Sequence, residues 1–77
     1  MDVNEVRYLV LATCPECEVD VELAGGHYTV TVISEAFAGV RSVARQQRVY
    51  APLASAIAAG HLHAVNIRAL TPAEAAG

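Results

Sequence analysis

The sequence lacks tryptophan and carries only one phenylalanine and three tyrosines, although 55% of its 77 residues are hydrophobic. A core of large aromatic rings is thereby excluded. Valine, alanine, leucine and isoleucine must build it instead, which suits a thin two-layer domain spanning residues 1–77. A chain of this size buries only about 60–65% of the surface that its unfolded form exposes, so its stability should be modest. No apolar run approaches the ~20 residues that cross a bilayer, and the first residues, with Asp2 and Glu5 and no basic stretch, do not form a secretory signal. The expected location is the cytoplasm. Positive charge is also scarce. The net charge of −3 sets up no global field for nucleic acid or an anionic membrane, so anion binding has to rely on a local cluster. Cysteine occurs twice, and in a chain without an export signal both are expected to stay reduced thiols. There is no G-x-S-x-G, phosphate-binding loop or dinucleotide fingerprint. With no self-sufficient catalytic constellation, the sequence predicts a protein that works by binding a partner and is not an enzyme.

What is present is a regular exchange of helical and strand periods. From Asp2 the apolar residues fall at Val3, Val6, Leu9 and Val10, and Asp2 with Glu5 forms a capping box. This helix should end near Thr13, because Cys14 precedes Pro15 and is pushed out of helical geometry. Val19, Val21 and Leu23 then alternate with Asp20 and Glu22, the pattern of a strand with one wet face. Gly25-Gly26 supplies the positive φ angles of a tight hairpin turn. The second strand puts Tyr28, Val30 and Val32 on one face and Thr29, Thr31 and Ile33 on the other. Ser34 to Gly39 reads as a turn. Val43, Val49, Tyr50, Leu53 and Ile57 recur at helical intervals to about Ala59, and Pro52 should kink this segment or divide it near Ala51. After Gly60, Val65, Ile67 and Ala69 alternate with Asn66 and Arg68 in a third strand. Thr71-Pro72-Ala73-Glu74 begins a short last helix with an N-cap threonine, a proline at the first position and a glutamate at the third.

The fold class that follows is α/β of the α+β kind, in the order α-β-β-α(α)-β-α, with a three-stranded mixed sheet and its helices packed on one face. The hairpin is antiparallel, and the helical crossover makes strand three parallel to strand two. Those two strands therefore start at the same end of the sheet, where His27 opens one and His63 the other.

Four groups of residues carry potential chemistry. Cys14-Pro15-Glu16-Cys17 is a CxxC motif, the pattern of a redox dithiol or of half a zinc site. A reactive dithiol normally occupies a helix N-terminus. This one follows a helix and has Glu16 and Glu18 to oppose thiolate formation, so ordinary packing or turn cysteines are the favoured reading. A zinc site built from both cysteines and two of His27, His61 and His63 has the right ligand types without the spacing of a known finger. Arg41, Arg45 and Arg48, spaced four and three apart, form one stripe on the central helix. That stripe could meet phosphates or an acidic partner, but the acidic balance of the chain favours a solvated face. His61-Leu62-His63 leads into strand three, where a histidine is commonly a partly buried, hydrogen-bonded imidazole and less often a ligand.

The runs Val32-Ile33-Ser34-Glu35-Ala36-Phe37-Ala38-Gly39, Val43-Ala44-Arg45-Gln46-Gln47-Arg48-Val49-Tyr50-Ala51-Pro52-Leu53, His63-Ala64-Val65 and Leu70-Thr71-Pro72-Ala73-Glu74, in that order, closely resemble the BolA family. The Gln46-Gln47 pair followed by Val-Tyr-Ala-Pro-Leu is similar to its bacterial IbaG-like branch. The likeness covers nearly the whole chain and is strongest from His27 to Glu74. It implies a KH-like fold of type II topology. It also implies a monothiol glutaredoxin as partner, a 2Fe-2S cluster shared with it, and a link to stress response and transcriptional control. His63 is similar in position to the family's cluster ligand. The second ligand comes from the loop between strands one and two, which points to His27, with Cys17 as a weaker candidate. A glutaredoxin thiolate and a glutathione thiolate would complete the four ligands, so no cluster is expected on the isolated chain. Neutral imidazoles lower the negative charge on such a cluster, and acid, by protonating them, should loosen the complex. Many relatives place a tryptophan after the last glutamate. This chain reads Glu74-Ala75-Ala76-Gly77, which alters the packing of the last helix. The alternative is a KH-like, DNA-binding transcriptional regulator using Arg41, Arg45 and Arg48, although the Gly-x-x-Gly loop that clamps nucleotides is absent. Alone, the chain is expected to be a monomer or a weak homodimer.

Overall fold

Asp2 starts the first helix by accepting the Glu5 N–H at 2.9 Å, while the Glu5 carboxylate accepts the Asp2 N–H at 3.2 Å, so the expected capping box is formed. The computed structural model describes residues 1–77, and helix α1 spans Val3–Thr13. Val6 and Val10, one turn apart, are buried and fix the face that meets the sheet. The Tyr28 hydroxyl donates to the Met1 carbonyl and ties this end of the chain to the sheet. Strands β1 (Glu18–Ala24) and β2 (His27–Ile33) form an antiparallel hairpin. Gly25 and Gly26 have φ of 58° and 79°, the two left-handed conformations that a type I′ turn requires. Along β2, Tyr28, Val30 and Val32 are buried and Thr29, Thr31 and Ile33 are half-buried, as the alternation predicts.

The segment expected as a plain turn holds a 3-10 turn at Glu35–Phe37. Ser34 Oγ caps it by accepting the Ala36 N–H at 3.1 Å, and Phe37 enters the core. The long helical segment is divided, as Pro52 demands. Helix α2 runs Ser42–Tyr50, a 3-10 turn covers Ala51–Leu53, and α3 covers Ala54–Ala58. Val43 and Tyr50 were expected on its apolar face but are 69% and 46% exposed. At about 100° per residue, Val43 lies a third of a turn away from the direction of Val49, and the buried line is Val49, Leu53 and Ala56.

Helix α3 ends in a Schellman arrangement. Gly60 adopts φ 78°, His61 N–H donates to Ala56 at 2.9 Å and Gly60 N–H to Ile57 at 3.1 Å. Strand β3 (Val65–Leu70) then pairs in parallel with β2, Tyr28 opposite Val65 and Ile33 opposite Leu70, and the sheet order is β1-β2-β3. His63 does not open this strand. Ala64 adopts φ 49°, which breaks the extended geometry and leaves His63 in the loop before it. Helix α4 (Pro72–Ala76) carries the second capping box, from Thr71 and Glu74, and buries no residue. The core lies between the sheet and the helices on one face, with Leu53, Leu62, Val6, Val10, Val30 and Val32 as its largest enclosed side chains. No helix is long and apolar enough to cross a membrane.

Candidate functional site

One end of the sheet collects two histidines. His27 is the first residue of β2, placed there by the Gly25-Gly26 turn. The next residue, Tyr28, donates its N–H to the Ala64 carbonyl at 3.0 Å, and Ala64 directly follows His63. That single main-chain bond sets the two histidines at the same end of the sheet. Both are exposed, and neither side chain is held by a hydrogen bond or an ion pair. Leu62 is 1% exposed and pins the loop that carries His63. A shallow pocket of about 290 Å³ beside His63 is lined by Tyr50, Ile57, Leu62 and Val65. Exposed, unbonded imidazoles are chemically able to donate to iron or zinc.

Cys17 is not part of this grouping. It precedes Glu18, which pairs with Ile33 at the far end of β2, whereas His27 pairs with Ala24. The length of a seven-residue strand, roughly 20 Å, separates the two ends. A zinc site joining the cysteines to the histidines is therefore not assembled. The cysteines also differ from the reduced thiols expected, since Cys14 and Cys17 are joined by a disulfide. The turn through Pro15 and Glu16 permits the bond. It brings the two Cα atoms to 5.5 Å, within the range a disulfide spans, and lets the Cys17 N–H donate to the Cys14 carbonyl at 3.1 Å.

The arginine stripe is likewise not formed. Arg41 is the extended N-cap residue of α2, with φ −67° and ψ 152°, so helical spacing does not apply to it. Arg45 turns inward. Its Nε donates to the Val40 carbonyl at 2.8 Å, and its Nη1 to the Ala69 carbonyl at 3.1 Å and to Glu74 Oε1 at 2.6 Å. The guanidinium carbon lies 5.9 Å from the centre of the Phe37 ring. Arg45 is thus a tie between α2, β3 and α4. The hydrogen bond from Arg45, followed by one from the Thr71 main chain, holds the Glu74 carboxyl below its ordinary value. Arg48 remains exposed and unpaired.

Gln46 has a role that the sequence did not reveal. Its Nε2 donates to the Ile67 carbonyl at 2.7 Å, beside the bond from Arg45 to Ala69. The carbonyls of Ala64 and Leu70 turn toward β2, so by alternation those of Ile67 and Ala69 face the outer edge of β3. Adjacent long polar side chains on α2 were the available signal, but it becomes readable only once β3 is known to lie beneath them.

A small α+β protein with a three-stranded mixed sheet and two exposed histidines at one sheet end is the class these features define. Residues 14–74 match the family model described as BolA-like protein, and the chain belongs to the BolA family. It is 41% identical over 74 residues to the acid stress protein IbaG of Escherichia coli strain K12, covering 96% of this chain and 88% of that protein. It is 48% identical over 48 residues to the DNA-binding transcriptional regulator BolA of Vibrio cholerae, covering 62% of this chain and 44% of that protein. The structure of a BolA homologue from Coxiella burnetii superposes with a TM-score of 0.83 at 23% identity, covering 100% of this chain and 99% of that one. Proteins of this family are non-enzymatic regulators or accessory proteins, in line with the expectation that the chain is not an enzyme.

Proposed function

We propose that this chain partners a monothiol glutaredoxin in the cytoplasm and helps to hold a shared 2Fe-2S cluster through His63 and His27, in iron–sulfur trafficking or the response to acid or redox stress. The supporting observation is the exposure of both imidazoles at the sheet end fixed by the Tyr28–Ala64 bond. His63 is the principal ligand and His27 the second, while one thiolate from the glutaredoxin and one from glutathione fill the other positions. The cluster, when bound, supplies one-electron chemistry at iron. The residues of this chain orient it. Leu62 and the left-handed Ala64 set the His63 loop, and the glycine turn sets His27. Mixing the protein with cluster-loaded glutaredoxin should produce a new visible circular dichroism spectrum, and His63→Ala should remove it. An unchanged spectrum and cluster lifetime in that variant would show the ligand assignment to be wrong.

A second reading, nucleic-acid binding, draws support from the name of the Vibrio relative and from the exposure of Arg41 and Arg48. Arg45 is committed to Glu74 and main-chain carbonyls, which leaves fewer cations for phosphates than the sequence suggested. Replacing Arg41 and Arg48 by alanine should lower affinity and flatten its salt dependence. The absence of any salt-dependent binding to DNA or RNA rules this reading out.

A further inference from the structure

The Cys14–Cys17 disulfide lies at the end of the sheet opposite His27, in the wall of the largest cleft of the molecule, about 400 Å³. Val10, Val32, Phe37 and Val49 give this cleft an apolar floor, and Arg48 is the cation that borders it. We propose that this is a thiol–disulfide exchange site at which a low-molecular-mass thiol bearing a carboxylate reduces the Cys14–Cys17 bond, and the disulfide of that same small molecule re-forms it, in the folded protein.

Three observations carry the proposal. The first is asymmetric access, because Cys14 is half-buried while Cys17 is 6% exposed, so an incoming thiolate reaches Cys14 Sγ. The second is independence of the fold from the bond. Its two cysteines are only three residues apart, and closing so short a loop adds the least stabilisation. Hydrogen bonds from Cys14 N–H to Val10 and from Cys17 N–H to Cys14 hold the turn without it. The third is Arg48, exposed, unpaired and the one cation among the cleft's lining residues, which complements a carboxylate bound on its side of the cleft, away from Glu16. The Glu16 carboxylate, 3.5 Å from Cys14 Sγ, and the C-terminal end of α1 both oppose a thiolate at Cys14. The pair is therefore the target of exchange and not a catalyst of it.

The thiolate of the small molecule attacks Cys14 Sγ, the Cys14–Cys17 bond breaks, and Cys17 leaves as a thiolate that takes a proton from water. A second small thiol attacks the sulfur of the first, forming the small-molecule disulfide and releasing Cys14. Two small thiols are oxidised and the protein disulfide gains two electrons.

Glutathione is the probe. The native protein is equilibrated with graded mixtures of reduced and oxidised glutathione, free thiols are blocked with iodoacetamide, and intact mass and far-ultraviolet circular dichroism are recorded. The expected result is full interconversion with an unchanged dichroism spectrum. Cys17→Ser should trap one glutathione on Cys14, whereas Cys14→Ser should leave Cys17 unmodified while folded. Arg48→Ala should slow exchange with glutathione about three-fold and leave exchange with neutral 2-mercaptoethanol unchanged. Reduction that occurs only together with loss of the dichroism spectrum overturns the proposal, as does equal modification of the two cysteines. Equal slowing of both thiols in Arg48→Ala overturns the choice of a carboxylate-bearing thiol.

Discussion

Arg45 and Glu74, 29 residues apart in the chain, meet at 2.6 Å and join α2 to the first turn of α4. The Glu74 carboxyl also accepts the Thr71 N–H at 2.8 Å, so one side chain serves both the ion pair and the capping box. Its folded-state pKa lies below the ordinary value of 4.5. The pairing therefore stabilises the fold fully above that value, and the contribution is lost as pH falls through the lowered one. Thermal unfolding of wild type and Glu74→Gln at several pH values should show wild type ahead at pH 7 and the difference closing below 4.5. A difference that is independent of pH would mean that the charge plays no part.

Arg45 and Gln46 together occupy the outer carbonyls of β3 at Ala69 and Ile67. Arg45→Ala removes two partly buried hydrogen bonds, the exposed pair with Glu74 and the contact with Phe37, and should cost about 2 kcal/mol. Arg45→Lys should recover little of this, because an ammonium cannot reproduce the guanidinium fork. Gln46→Ala, at an exposed position, should cost about 0.5 kcal/mol. Urea unfolding midpoints of the three variants test that order, and a lysine variant equal to wild type would contradict it.

Much of the fold could be read from single residues because their effects are local. Asp2 with Glu5, Thr71 with Glu74, and Gly25 with Gly26 each determine an element boundary through bonds within a few positions, and all three behave as expected. Pro52 divides the central helical segment for the same local reason. The parallel pairing of β2 and β3 followed from the crossover, and with it the shared end for His27 and His63. What could not be read depends on contacts far apart in sequence. Arg45 looked like one of three equivalent cations until β3 and Glu74 were placed around it. The inference of reduced thiols rested on cellular compartment, whereas the geometry of the Pro15-Glu16 turn determines whether the sulfurs meet. Nothing in the spacing of His61, Leu62 and His63 indicated that Ala64 would turn left-handed and detach His63 from the strand.

Leu62 links the core to the histidine loop. Only 12 of 77 residues are buried, so few others can compensate for its loss, and Leu62→Ala should cost about 3 kcal/mol. Val6→Ala, on α1, should cost about 2 kcal/mol without touching that loop. Measured with cluster-loaded glutaredoxin at a temperature where both variants are folded, the complex of Leu62→Ala should decay faster than wild type and that of Val6→Ala should not. Equal lifetimes for the two variants would show that Leu62 supports the fold alone.

Ala64 lies at φ 49°, the one non-glycine residue with a positive φ, directly between His63 and the first residue of β3. Its carbonyl accepts the Tyr28 N–H, so the left-handed turn and the pairing of β3 with β2 are formed by the same residue. A methyl side chain is strained in that region by about 1 kcal/mol, and glycine relieves the strain while adding freedom to the unfolded chain. Ala64→Gly should therefore change stability by no more than about 0.5 kcal/mol and preserve the position of His63. A β-branched side chain is much worse accommodated there, so Ala64→Val should cost about 2 kcal/mol or force the loop to rearrange. Urea unfolding gives the first quantity and the visible dichroism of the glutaredoxin complex reports the second. If valine is tolerated with neither stability nor spectrum altered, the left-handed turn is not what positions His63.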